Sequence, residues 1–241
     1  RILIFDGAMG TSLQKMNLTA DHFGGERTNG CNDYLVLSYP QVVESVHRSF
    51  LEVGVDVIET DTFRANRLTL AEYGLQSSVT QINLAAAQLA RRLADEYSQP
   101  GHPRFVAGSI GPTGKLPSMS DPELSNITFD ELVEIFQQQA SALIDGGVDL
   151  ILIETSQDIL EVKAAIFGIR KAFEQTGTDL PIQAQGTLDT TGRMLLGTDI
   201  SAVLAVLEGL GIDVIGLNCS TGPDHMREPI RYLGELSTLP V

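Results

Sequence analysis

Short apolar runs alternate along the chain with longer segments whose apolar residues recur at helical spacing. Three runs share one phrase: residues 54–60 (GVDVIET), 147–155 (GVDLILIET) and 211–219 (GIDVIGLNC). In each phrase a glycine ends a helix, an aspartate follows, and an apolar run enters a buried strand. Three further strands are predicted at 2–5, 105–110 and 181–186. This alternation predicts parallel β/α units with right-handed connections.

The segments between these strands have the features of amphipathic helices. Thr128, with Glu131 three residues later, matches a capping box. Apolar residues then recur at helical spacing at positions 132, 135, 136 and 143, and similar stripes cover 159–173 and 200–207. The ordinary role of such a stripe is packing against a sheet.

Polar residues follow nearly every predicted strand, and this decides between two α/β architectures. A doubly wound open sheet is the alternative, but no G-x-G-x-x-G follows a strand. A barrel whose site is built from many strand ends explains the pattern better. We therefore predict an α/β fold of the (β/α)8 TIM type, with six strands and the start of a seventh at 239–241. In this interpretation, residues 1–241 form one barrel domain that is incomplete at the C-terminus, truncated after the start of strand seven.

Composition narrows the class of protein without specifying its function. The 241 residues are 43% hydrophobic, enough for a sizeable core, and the formal charge of −15 argues against a nucleic-acid partner. Cys31 and Cys219 lie far apart and form no disulfide framework, which favours a reducing compartment. No apolar run approaches the ~20 residues of a membrane span. The sequence therefore predicts a cytoplasmic protein with no membrane partner.

The predicted strand ends carry the residues that are candidates for chemistry. In a barrel they converge on one mouth, and here they comprise Asp6, Glu59, Asp61, Glu154, Asn218 and Cys219. Carboxylates suit a substrate ammonium group, and glycines at 7, 10, 111, 114 and 222 let backbone amides approach a carboxylate. Together they suggest an amino-acid zwitterion as substrate. The alternative, that Asp6 and Glu154 cap helices or pair with arginines, stays open at this point.

Cys219 has two interpretations. A single cysteine at a strand end is usually a small buried apolar residue. The alternative is a zinc ligand, but a catalytic zinc needs at least three protein ligands. The four histidines have no H-x-x-x-H spacing, so no complete zinc site is visible in the sequence. If zinc binds, the remaining ligands are expected beyond Val241.

Five phrases, in order, resemble the homocysteine S-methyltransferase family. They are 6–11 (DGAMGT), 59–63 (ETDTF), 108–112 (GSIGP), 153–155 (IET) and 216–223 (GLNCSTGP). Within that family, 31–35 (CNDYL), 126–132 (NITFDEL) and 163–165 (KAA) are similar to the cobalamin-dependent methionine synthases. Any one phrase would be weak evidence, whereas five in register are specific.

The resemblance implies a fold and a set of site residues. The family fold is a (β/α)8 barrel. Its zinc is held by a cysteine that Cys219 matches and by a cysteine pair on the eighth strand, which this sequence lacks. Asp6 and Glu154 match the carboxylates that hold the homocysteine amino group, and backbone groups of the adjoining loop meet the carboxylate. The full set of predicted substrate-binding residues is Asp6, Gly7, Ala8, Met9, Glu59, Asp61, Glu154 and Asn218.

The resemblance also implies a reaction. Zinc deprotonates the homocysteine thiol, and the thiolate takes a methyl group from methylcobalamin to make methionine. Methyltetrahydrofolate recharges the cobalamin, and separate domains of the same polypeptide bind both groups, so this domain alone is expected to be inactive. The alternatives are a homocysteine methyltransferase that uses another donor, the same barrel fused to a folate reductase, and a non-catalytic amino-acid-binding barrel.

Overall fold

The computed structural model describes residues 1–241, which form two compact units. The first unit comprises 1–109 and 138–149, and the second comprises 110–137 and 150–241. Five strands alternate with helices along the chain. The strands are β1 (Val57–Glu59), β2 (Phe105–Ile110), β3 (Leu150–Ser156), β4 (Ile182–Gly186) and β5 (Val214–Leu217).

Nine α-helices separate or flank these strands. They are α1 (Met9–Gln14), α2 (Leu35–Ser38), α3 (Pro40–Val53), α4 (Arg67–Ala71), α5 (Val79–Tyr97), α6 (Phe129–Asp145), α7 (Ile159–Thr176), α8 (Ile200–Gly209) and α9 (Pro223–Leu236). Short 3-10 helices cover Glu26–Thr28, Asn32–Tyr34 and Gln76–Ser78. None of the nine has both the length and the apolar composition needed to cross a bilayer.

Strand pairing is parallel in both units. In the first, β1 pairs with β2, with Ile58 opposite Val106. In the second, β3 pairs with β4 and β4 with β5, and Ala184 lies opposite both Ile153 and Ile215. These pairings confirm the predicted parallel β/α arrangement.

The repeated G-V/I-D phrase has a structural explanation. The side chain of Asp56 accepts a hydrogen bond from the backbone N–H of Ile4 (3.0 Å), and its own N–H donates to the Ile4 carbonyl (2.7 Å). Asp149 makes the same two bonds to Val106, and Asp213 makes them to Ile182. Each aspartate therefore binds both backbone groups of one residue at the start of the preceding extended segment. This pairing fixes the register at the points where β1, β3 and β5 begin.

The chain before β1 differs from the predicted strand at 2–5. Only Phe5 pairs, in a single parallel bridge with Val57, and Ile2 is 85% exposed. The N–H of Asp6 donates to the Val57 carbonyl at 3.0 Å, so the segment runs beside β1 without forming a ladder long enough to be a strand. The predicted seventh strand is represented by one bond, from the N–H of Ile215 to the carbonyl of Pro240 (3.0 Å).

The helix predictions are confirmed where the sequence signal was strongest. The Thr128 hydroxyl oxygen accepts from the N–H of Glu131, while the Glu131 carboxylate accepts from the N–H of Thr128, which completes the capping box before α6. The predicted apolar stripe of α6 is buried, with its four members at most 1% exposed. Helix α7 packs closely on α6, because a Cβ added at Gly168 would lie 2.6 Å from the Val133 carbonyl oxygen.

Candidate functional site

The end of β3 has an unusual backbone conformation. Thr155 has φ of 57°, a left-handed conformation that is rare for a β-branched residue. The register between β3 and β4 shifts between Ile153 and Ser156, as expected when a strand accommodates a bulge. Strain of this kind persists only where surrounding contacts hold it, and it concentrates at functional sites. The conformation of Thr155 therefore marks the end of β3 as a candidate functional site.

Asn218, directly after β5, joins Thr155 to Glu154. Its side-chain oxygen accepts from the N–H of Thr155 (2.9 Å), and its side-chain nitrogen donates to the Glu154 carboxylate (2.9 Å) and the Thr155 hydroxyl (3.1 Å). The Thr187 hydroxyl, after β4, donates to the backbone carbonyl of Asn218 at 3.0 Å. All these bonds connect residues at the carboxyl ends of β3, β4 and β5. The amide therefore fixes the position of the Glu154 carboxylate, which is half-buried.

Cys219 continues the same network. Its thiol is free and exposed, and its sulfur accepts a hydrogen bond from the Thr155 hydroxyl at 3.4 Å. Cys219 and Ser220 both have left-handed backbone conformations, with φ of 58° and 61°. The exposure of Cys219 contradicts the interpretation of this residue as a small buried apolar side chain. We refer to Glu154, Thr155, Asn218 and Cys219 as the strand-end cluster.

The first unit holds the other predicted site residues. The carboxylate of Asp6 accepts the N–H of Glu59 at 3.2 Å, so the segment after Phe5 is bound to the end of β1. Gly7 and Ala8 are exposed, and α1 begins at Met9. These contacts bring Asp6 and Glu59 together within the first unit.

Asp61 lies in a different environment from Asp6. It is 5% exposed, and its Oδ2 atom has no hydrogen-bond partner. Burial, with the nearby charge of Asp33, raises the pKa of Asp61 well above its usual range. Burial likewise raises the pKa of Asp33 to about 6. Burial therefore disfavours the ionised form of Asp61, which makes this residue a poorer counter-ion for an ammonium group than a solvated carboxylate.

The residues of this chain supply part of a metal site at most. Cys219 offers one exposed soft ligand, whereas Cys31 is buried and its pKa is raised to about 12, mainly by desolvation. No group of three His, Cys, Asp or Glu side chains is arranged to hold a metal ion. A catalytic zinc with three protein ligands therefore does not fit these 241 residues alone.

Three residues of the second unit with notable contacts are not predicted from the sequence to have a role: Thr155 at the end of β3, and Asp158 and Glu161 at the start of α7. Thr155 has no predicted role beyond its place in the phrase at 153–155, because sequence does not report backbone φ. Asp158 and Glu161, at the start of α7, are buried acidic residues. Their burial could have been predicted, because both lie on or beside the predicted apolar stripe of that helix.

Comparison with known proteins decides the family. The family model described as homocysteine S-methyltransferase matches residues 3–241. The chain belongs to this family. Over all 241 residues it is 42% identical to methionine synthase from Mycobacterium leprae and 42% identical to methionine synthase from Mycobacterium tuberculosis. It spans 19% and 20% of the length of those two relatives, about one fifth.

Solved structures support the same fold. The metallated form of the homocysteine methyltransferase MmuM from Escherichia coli matches with a TM-score of 0.80. The match covers 99% of this chain and 81% of MmuM, at 22% identity. The apo form of MmuM matches over the same 99% of this chain with a TM-score of 0.73. At this identity the likeness establishes the α/β fold and no residue roles.

Proposed function

We propose that this chain is the homocysteine-binding module of a cobalamin-dependent methionine synthase. The strand-end cluster carries the proposal, because it joins the carboxylate of Glu154 to the exposed thiol of Cys219 through Asn218 and Thr155. A carboxylate suits the ammonium group of an amino acid, and a thiol suits a soft metal. Two methionine synthases that match along the whole chain support this choice of reaction.

The proposal includes the finer fold and domain organisation. We infer that residues 1–241 belong to one domain whose complete form is a (β/α)8 barrel. The parallel pairings within each unit and the bond between Ile215 and Pro240 support this inference. We also propose that cobalamin and methyltetrahydrofolate are bound elsewhere in the full-length enzyme, since the chain spans about one fifth of its methionine synthase relatives.

Five of the predicted substrate residues have a definite proposed role. Glu154 binds the substrate ammonium group, and Asn218 orients its carboxylate through the 2.9 Å bond. In the first unit, the carboxylate of Asp6 is proposed to suit an ammonium group, and the exposed backbone at Gly7 and Ala8 a carboxylate. Asp61 receives the least weight, because it is buried and its pKa is raised.

Cys219 is proposed as one ligand of a zinc ion. Bound zinc would supply Lewis-acid activation, which lowers the pKa of a coordinated thiol so that it reacts as a thiolate. The hydroxyl of Thr155 holds the Cys219 sulfur in position by the 3.4 Å bond. Because these residues supply no group of three ligands, we expect the 241-residue chain to retain little zinc through gel filtration.

The test is a calorimetric titration of the chain with L-homocysteine, beside L-serine as a control that shares the ammonium and carboxylate groups. We expect homocysteine to bind to the unaltered chain and to bind more weakly to the Glu154→Gln variant. In the full-length enzyme, Cys219→Ala should abolish stoichiometric zinc and methionine formation together. Full zinc occupancy in that variant would refute the ligand assignment, and normal methylation without cobalamin would refute the proposed methyl donor.

A further inference from the structure

Two buried carboxylates at the start of α7 bind the connection between β2 and α6. Glu161 Oε1 accepts from the N–H of Thr113 (2.8 Å) and from its hydroxyl (2.5 Å). Asp158 accepts from the N–H of Ser118 (2.8 Å) and from its hydroxyl (2.7 Å), and also caps α7 through the N–H of Leu160. The two side chains are 3% and 1% exposed. We call these four bonds from residues 113 and 118 the carboxylate clamp.

Burying two carboxylates to form the clamp has a larger free-energy cost than holding a loop by neutral hydrogen bonds. Removing a carboxylate from water is unfavourable, and burial is the main reason that the pKa of Glu161 is raised to about 7. The bonds from Thr113 lower the pKa of Glu161, and the neighbouring charge of Asp158 raises it. No other charged residue lines the small cavity beside Glu161, which is formed by Gly111, Pro112, Phe136, Ile153, Ser156 and apolar residues of α7.

The clamp lies next to the strand-end cluster within the second unit. Asp158 follows Glu154 by four residues, and Ser156 at the end of β3 lines the same cavity as Gly111 and Pro112. The clamped loop continues into Lys115, whose ammonium group donates to the Asn126 side chain at 2.6 Å. The clamp therefore joins the loop after β2 to the turn that directly follows Glu154.

We propose that Asp158 and Glu161 are positioning residues that hold the loop of residues 111–118 against the end of β3, so that homocysteine meets a fixed surface beside Glu154. The inference rests on the proposed function for its substrate and on the four clamp bonds for its geometry. The two residues touch the loop and act on the substrate only through it.

The role proposed for Glu161 requires a side-chain oxygen that accepts hydrogen bonds from Thr113. Glu161→Gln keeps an oxygen acceptor for both groups of Thr113, whereas Glu161→Leu leaves both donors unpaired in a buried site. Thr113→Val removes the hydroxyl alone and is the second variant if Glu161→Leu does not fold. Glu174→Gln, at an exposed position on the same helix, is the matched control.

The first measurement is the dissociation constant for homocysteine by calorimetry at pH 7.5. We expect it to rise about tenfold in Glu161→Leu and severalfold in Thr113→Val. It should stay within about twofold of the unaltered chain in Glu161→Gln and Glu174→Gln. A lower melting temperature in Glu161→Leu with unchanged homocysteine affinity would overturn the proposal, because the clamp would then serve the fold alone.

The second measurement does not depend on homocysteine. The Thr113 amide signal in nitrogen–proton NMR spectra should shift with an inflection near pH 7 in the unaltered chain and show none in Glu161→Gln. In Glu161→Leu the amide signals of residues 111–118 should broaden or move while those of α8 stay unchanged. If the unaltered chain binds no homocysteine, the proposed function fails, and these amide signals still decide the clamp. Unperturbed loop signals in Glu161→Leu would refute it.

Discussion

One residue pattern recurs at the starting ends of the strands, whereas the carboxyl ends share no common pattern. At the starting ends, Asp56, Asp149 and Asp213 each bind the N–H and the carbonyl of one residue in the preceding segment. At the carboxyl ends no such rule holds. Glu59 is bound to Asp6, Thr187 supports Asn218, and Cys219 is exposed in a left-handed conformation.

This difference separates the requirements of the fold from those of function. A strand start must fix register, and the same aspartate geometry does this at the starts of β1, β3 and β5. A strand end in this class of fold supplies side chains for chemistry, so residue type, burial and backbone conformation vary with position. Substitutions at the starting ends should therefore affect stability, and substitutions at the carboxyl ends should affect binding.

The largest expected effect is at a strand start. Asp56 is 4% exposed and accepts bonds from Ile4, Arg1 and His102. Asp56→Ala leaves these donors unpaired and should lower the free energy of unfolding by about 3 kcal/mol. Asp213, which is exposed and serves Ile182 alone, is the matched control, and Asp213→Ala should cost about 1 kcal/mol. Urea unfolding measures both, and equal losses would contradict the role of burial.

The second effect is at a strand end. Glu154→Gln removes the negative charge that we propose for the ammonium group while keeping a side chain that can pair with Asn218. The dissociation constant for homocysteine should rise about 30-fold, equivalent to about 2 kcal/mol. The free energy of unfolding should change by less than about 0.5 kcal/mol, as for a substitution outside the core. Calorimetry that finds unchanged affinity would assign Glu154 a structural role.

The third prediction concerns pH. The pKa of Glu161 is raised by burial to about 7, so its contribution to stability is complete below about pH 4.5 and is lost as pH rises to about 7. Glu161→Gln removes this dependence. The stability of the variant relative to the unaltered chain should therefore increase by about 2 kcal/mol from pH 4.5 to pH 7.5.

The contribution of His47 to stability changes with pH in the opposite direction, which makes this residue a useful comparison. It is fully buried, and desolvation lowers its pKa to about 4. Its contribution is present above about pH 6.5 and is lost as pH falls towards 4. The difference between Glu161→Gln and the unaltered chain isolates Glu161, because His47 is the same in both. A difference that does not vary with pH would show that folding does not raise the pKa of Glu161.

The smallest effect tests the strained backbone at the end of β3. Thr155→Gly relieves the left-handed conformation but removes the hydroxyl that contacts Asn218 and Cys219. These effects oppose each other, so stability should change by about 1 kcal/mol or less. Homocysteine affinity should nevertheless fall severalfold, whereas Thr155→Ser should retain it. A variant that gains stability and keeps its affinity would show that the strain has no functional role.

The sequence by itself determined the class of fold and the family. The alternation of apolar runs and helical stripes is a local property, so five of the six predicted strands and the capping box at Thr128 were placed correctly. The strand predicted at Ile2–Phe5 is not present in the structure. An apolar run reports the tendency to be extended, whereas a ladder requires a partner over several residues, and only Phe5 has one.

The tertiary structure alone decided which strand-end residues belong together. Asp61 and Glu154 are both acidic residues near strand ends, yet one is buried next to Asp33 and the other is fixed by Asn218. Burial and hydrogen-bond partners come from residues distant in the chain, and they determine whether a carboxyl group is charged. Sequence spacing does not encode that distinction, nor the left-handed backbone of Thr155 and Cys219, because both depend on contacts made only in the folded chain.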